Sequence, residues 1–267
     1  MSNRFRTSLV TLDHFRHFDR QVPRKPRPVG GVPADRQAGR GTIKMRFPFR
    51  EVPASGRGAS NLTLGSMMDV ILSAEGVDLQ ECEVLVTGFF LDERPLKGSS
   101  GLVDWRLNGR LSRLIIGKRL TGEWKEMILI PSEGRVIPRM ILLLGLGRVK
   151  EYSYPRLREL SPFLLETLQK LNISSACFSL PYGDHTSVDC AKLAEILIEG
   201  MADFFDLGRF DEAWVRNLRL TFAEGESKMF EILLGIQTAR SMLEDKLQIR
   251  IFATPGKISG AVSAEEN

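Results

Sequence analysis

The chain has 267 residues, 43% hydrophobic and 26% charged, with a formal net charge of +4. That is ordinary globular composition, with length for one large domain or two small ones. No apolar run approaches the ~18–20 residues that span a bilayer, and no apolar core of ~7–15 residues follows the basic N-terminus, which excludes a transmembrane helix and a secretory signal. Cys82, Cys177 and Cys190 are few and widely spaced, which argues against a disulfide scaffold and fits a reducing cytoplasm.

The charge is unevenly spread. Residues 1–50 hold 12 Lys+Arg and 3 Asp+Glu, a balance of +9, while the rest holds 25 basic and 30 acidic residues, a balance of −5. Pro23, Pro26, Pro28 and Pro33 interrupt this arm, and Gly30, Gly31, Gly39 and Gly41 loosen it. Residues 1–55 therefore read as a largely unstructured basic arm, residues 56–255 as the folded body and residues 256–267 as a flexible tail. The arm is either a polybasic tether for nucleic acid or another acidic surface, or a solvated tail preceding a start near Met45.

The body alternates strands and helices. A first strand is expected near residues 61–65, extended by residues 70–72. Further strands are expected at residues 83–89, 126–130, 139–145, 173–180, 218–222 and 248–253. Several are continuously apolar, as strands covered on both faces are. Between them, Val103, Leu107, Leu111 and Leu114 form one helical stripe, and Leu157, Leu160, Leu164, Leu168 and Leu171 another. Pro155 suits the first turn of the second helix, and Pro162 is expected to kink or restart it. Cys190, Leu193, Leu197 and Met201 line a third helix, with Thr186 and Asp189 as its capping box. Met229, Leu233, Ile236, Ala239 and Leu243 line a fourth. This order predicts an α/β fold, a three-layer α/β/α domain with a mixed sheet.

The informative segment runs from residue 88 to 115, GFFLDERPLKGSSGLVDWRLNGRLSRLI. A buried strand ends at Gly88, and the small-residue turn Gly98, Ser99, Ser100, Gly101 opens a helix. Such a turn lets a ligand approach the backbone, and the helix start favours an anion, so these four residues form a candidate phosphate or carboxylate cradle. The alternative is a plain turn. Trp105 either packs under the helix or lines the loop, while Trp124 and Trp214 read as partial core residues.

The same string resembles the N-terminal domain of the leucyl aminopeptidase family, cytosolic zinc/manganese exopeptidases. RMILLLGLGRVKEYSYPRLREL resembles that domain's next strand, turn and helix, and SKMFEILLGIQTARSMLEDKL resembles the helix leading to the catalytic domain. The resemblance covers about residues 60–255. In full-length members the chemistry lies in a C-terminal domain whose two metals are held by a lysine and several carboxylates, in motifs resembling NTDAEGR and K-G-x-x-x-D. Neither motif occurs in this sequence, which ends where that domain would begin.

A two-metal hydrolase needs clustered carboxylates. The acidic residues here are scattered, His14 and His17 lie in the arm, and His185 is alone in a loop, so no catalytic residue and no metal ligand is expected. The three cysteines fall at packed positions that favour inert thiols. No cofactor is expected.

The aminopeptidase N-terminal domain is in turn similar in architecture to macro domains, which bind ADP-ribose. GSSGLVDWRLNG aligns with the macro-domain loop GGGGVDGAI, which implies ligand contact by Gly98, Ser99, Ser100, Gly101 and Asp104. SLPYGDHTSVD falls where macro domains place a second phosphate loop, which implies Pro181, Tyr182, Gly183 and Asp184. The Asn-rich sequence of ADP-ribosyl hydrolases is replaced by Gly88, Phe89, Phe90, Leu91 and Asp92. Three functions remain open: a non-catalytic interaction or regulatory module, a nucleotide or ADP-ribose binder, and an active aminopeptidase, which the missing motifs disfavour. The partners expected of the module are a separate aminopeptidase, another protein or a second copy, with nucleic acid reached through the arm.

Overall fold

The computed structural model describes residues 43–45, 67–183, 185–206, 210–244 and 247–254. These form eight strands: β1 (Ile43–Met45), β2 (Met67–Ser73), β3 (Val84–Phe89), β4 (Met127–Pro131), β5 (Met140–Gly145), β6 (Ser175–Ser179), β7 (Arg219–Ala223) and β8 (Gln248–Thr254). Six helices accompany them: α1 (Gly98–Arg106), α2 (Arg110–Ile116), α3 (Tyr154–Lys170), α4 (Cys190–Asp206), α5 (Glu212–Arg216) and α6 (Glu226–Leu243). One sheet runs in the order β1-β4-β5-β3-β6-β7-β2-β8. β4 is antiparallel to both its neighbours, and the other pairings are parallel.

Both faces of the sheet are covered, so its strands alternate between two cores. Val84, Val86, Leu142, Leu144, Phe178 and Leu220 face α3, α4 and α6, while Leu85, Phe89, Ile128, Leu143 and Cys177 face α1 and α2. That is the expected three-layer α/β/α domain with a mixed sheet. Ile43–Met45, inside the segment read as an arm, pair with β4. The rest of residues 1–55, the strand expected at residues 61–65, His14, His17 and the tail at residues 256–267 lie outside the described residues. No helix among the described residues is long and apolar enough to cross a membrane.

Three local expectations need correction. The stripe through Val103, Leu107, Leu111 and Leu114 belongs to two helices, because Asn108 and Gly109 take left-handed φ of 53° and 72° and break the first. Pro162 does not restart α3, which runs unbroken for 17 residues. Proline removes the N–H that would serve the Arg158 carbonyl, and Gly200 of α4 is packed against that carbonyl: a Cβ at Gly200 would lie 2.5 Å from the oxygen. Arg158 itself reaches Glu199 and Asp203 of α4. Finally, Thr186 does not cap α4. Its hydroxyl and N–H close a turn on Gly183 O, and Asp189 is the cap, its carboxylate accepting from Lys192 N at 2.9 Å.

The candidate crevice between β3 and β6

In open parallel sheets, ligands bind beyond the carboxyl ends of the strands, where successive connections leave in opposite directions. β3 and β6 meet that description. The chain leaves β3 toward α1, β4 and β5, and leaves β6 toward α4 and β7 on the opposite flank. The turn at residues 98–101 and the loop after β6 therefore do converge at one end of the sheet.

Their side-chain hydroxyls are spent within the fold, while α1 starts without a side-chain cap on its first N–H groups. Ser99 Oγ lies 2.6 Å from Thr87 Oγ of β3 and donates to Ser179 O of β6 at 3.1 Å, so one hydroxyl ties the two strand ends together. With Ser99 donating to the carbonyl, the buried Thr87 hydroxyl is the donor to Ser99. Ser100 Oγ turns back to Lys97 O at 2.9 Å. Gly101 is required by space, since a Cβ there would lie 2.6 Å from Leu96 O. Gly98 is required by conformation, with φ of +55°.

Asp104 is bound to the start of α2. Its carboxylate accepts from Leu111 N at 2.8 Å, Ser112 N at 3.1 Å and the Ser112 hydroxyl. α2 begins after Gly109, which has no side chain to cap with, and Asp104 supplies the missing cap from the previous helix. The Asp104 carboxylate, expected as a ligand contact, is here engaged by the start of α2.

The second loop is likewise closed on itself. Gly183 N donates to Val188 O at 2.8 Å in a small antiparallel bridge, and Gly183 holds φ of +101°. Pro181 is half-buried in this loop, and Asp184 lies outside the described residues. Tyr182 Oη donates to Glu224 Oε2 at 2.9 Å, and Ser179 Oγ donates to Glu224 Oε1 at 3.0 Å. Glu224, immediately after β7, is the member of the site that sequence reasoning missed. Its signal was a lone carboxylate directly behind the apolar strand LTFA, but its partners lie 42 and 45 residues away in the chain. Beside it is a hollow of about 10 Å³, at the lower limit for one water. Phe178, Leu180, Cys190 and Phe222 line it.

Burial raises the Glu224 pKa above its ordinary 4.5, and the two hydroxyl donors only partly offset this. Because the folded state favours the protonated acid, the contribution of Glu224 to stability is fully present below the ordinary carboxylate pKa and is lost as pH rises through the raised value. Urea unfolding across a pH series should show this slope, and Glu224→Gln should flatten it above about pH 4.5. Superimposable slopes for the two proteins would contradict the assignment.

His185 Nε2 lies 3.8 Å from Glu93 Oε1, and the Ser99 hydroxyl is engaged elsewhere. Burial and the nearby Glu224 push the Cys190 thiol up to about 12. Cys177 is raised chiefly by its hydrogen bond with Cys82, then by burial. Cys82 is half-buried, its thiol donates to Val84 O at 3.3 Å, and its interaction with Cys177 shifts its pKa down. Among the described residues, no three His, Cys, Asp or Glu side chains gather as a metal site would require.

Residues 85–204 match the family described as cytosol aminopeptidase family, N-terminal domain. A probable cytosol aminopeptidase of Sulfurihydrogenibium sp. (strain YO3AOP1) is 21% identical over 60% of this chain and 32% of its own length. One from Pseudomonas syringae pv. tomato is 26% identical over 56% of this chain and 30% of its own. The chain thus spans about a third of the length of these relatives. Among solved structures, a Trypanosoma brucei macrodomain in complex with ADP-ribose aligns with a TM-score of 0.48 at 17% identity, over 63% of this chain and 68% of that one. A tomato leucine aminopeptidase variant aligns with a TM-score of 0.47 at 16% identity, over 66% of this chain and 37% of that one. The matched region is related to the N-terminal domain of cytosol aminopeptidases.

Proposed function

We propose that this domain is a non-catalytic interaction or regulatory module of the cytoplasm, related to the aminopeptidase N-terminal domain and carrying no peptidase chemistry of its own. The observation that supports this most is the engagement of the candidate ligand groups: the Ser99 and Ser100 hydroxyls, the Asp104 carboxylate and the Gly183 amide all serve internal bonds. A binder of ADP-ribose would need these groups turned toward a ligand, and Asp104 instead holds α2. The surface, by contrast, displays large apolar side chains: Trp105, Ile116, Phe230 and Met242 are all at least 65% exposed. Such residues suit contact with another macromolecule. The partners that fit are an aminopeptidase, another protein, a second copy of the chain or a nucleic acid.

The test is hydrolysis of leucine amide by the purified chain with zinc, manganese or cobalt. No turnover above buffer is expected. Turnover that follows the protein through further purification and disappears with a chelator would overturn the reading.

A further inference from the structure

We propose that the surface formed by α1, α2 and the β4–β5 turn binds single-stranded nucleic acid, with Trp105 as a stacking platform and arginines as phosphate ligands. This deepens the interaction-module reading by naming a partner class.

The charge of the body is the first observation. Residues 105–139 hold 8 Lys+Arg against 3 Asp+Glu, a balance of +5, while the remainder of residues 51–267 holds 17 basic and 27 acidic residues, a balance of −10. Lys125 of this segment pairs with Glu159 of α3, away from α1 and α2; the other seven basic residues still concentrate positive charge in one stretch of an acidic body.

The fold brings the two halves of that segment together. Arg110 reaches Glu133 at 2.6 Å, joining the start of α2 to the β4–β5 turn. Arg106 reaches Asp78 at 2.7 Å, and Asp78 O accepts from Ile137 N at 2.9 Å, joining the end of α1 to the same turn. Asp78 and Glu133 are thereby matched, and the Asp104 carboxylate is turned into α2. Arg113, Lys118, Arg135 and Arg139 are exposed and form no ion pair among the described residues.

Trp105 stands at this junction, 69% exposed, with the Arg106 guanidinium 4.9 Å from its ring centroid. The indole is left largely in solvent beside the Arg106 guanidinium. It has the composition of a platform on which a base stacks while neighbouring cations follow the backbone. Guanidinium groups dominate the patch, and they match phosphate oxygens bidentately. An acidic peptide would satisfy the charge but leave the flat indole without a partner of its own shape. A duplex would hide the faces of its bases, so a single strand fits best.

The experiment uses the full chain, including the basic arm. A labelled oligothymidylate of about twelve nucleotides is titrated by fluorescence anisotropy from about 50 to 200 mM salt. Tryptophan emission is followed in parallel. Quenching is expected in the parent and lost in Trp105→Ala, which should bind about tenfold more weakly. Trp105→Phe, which keeps an aromatic face, should retain most of the affinity.

Arg135→Ala combined with Arg139→Ala should reduce the log–log salt slope by about 1.4, since each phosphate neutralised on a single strand accounts for about 0.7 of that slope. Absent binding at low salt, or binding and slope indifferent to all these variants, would overturn the proposal, the latter assigning the affinity to the arm. Equal competition by polyglutamate together with indifference to Trp105→Ala would likewise reject it in favour of an acidic protein partner. None of these failures touches the module reading, which the peptidase assay tests separately.

Discussion

Asp104→Ala should lose about 2 kcal/mol of unfolding free energy, read from urea midpoints at constant slope. The carboxylate serves two N–H groups at the start of α2 and the Ser112 hydroxyl. Loss of a helix cap alone costs about 0.5–2 kcal/mol, and hydrogen bonds to a charged group are worth about 1.5–3 each, though not additively. α2 has only seven residues and Gly109 as its N-cap, with no side-chain hydrogen bond from the cap itself, so no neighbour can substitute. The negative charge also complements the positive end of the α2 dipole. Asp104→Asn keeps one acceptor oxygen and should lose about half as much. A stability change within about 0.5 kcal/mol, the range of an ordinary surface substitution, would remove the structural role assigned to Asp104.

Gly235→Ala should also destabilise, against the usual trend. In an exposed helix interior, replacing Gly by Ala gains about 1 kcal/mol through backbone entropy. At Gly235 of α6, however, the new Cβ would fall 2.0 Å from Ala191 O and 2.8 Å from Ala191 C, both backbone atoms of α4. Backbone cannot swing aside as a flexible side chain does, so the two helices must separate. Overpacking of this kind costs about 1–3 kcal/mol, which exceeds the entropic gain over most of that range. Thermal unfolding of Gly235→Ala beside the parent checks the sign, and a raised melting temperature would show that α4 and α6 are not held at this distance.

The strands were legible because a sheet covered on both faces leaves continuous apolar runs such as Ile141, Leu142, Leu143 and Leu144. The break between α1 and α2 was written in the Asn108-Gly109 pair, a turn signal that the apolar stripe outweighed. Pro162 misled because local rules do not know that Gly200 of α4 lies against the carbonyl it frees. At the crevice, the sequence showed which residues converge but not what they do there. Whether Ser99 offers its hydroxyl to a ligand or to Ser179 depends on a strand pairing 80 residues distant. Glu224 was silent for the same reason, since burial and two remote hydroxyls give it its character. The exposure of Trp105 was equally unreadable, because it depends on how α1 meets the Asp78 segment.

The account rests on the β3–β6 crevice being a joint of the fold and not a ligand site. Calorimetric titration of the full chain with ADP-ribose tests this most directly, with Gly101→Val as the companion protein. The expected result is no saturable heat up to millimolar ligand in either protein. Saturable one-to-one binding by the parent, abolished in a folded Gly101→Val protein, would contradict it and reopen the turn at residues 98–101 as a nucleotide site.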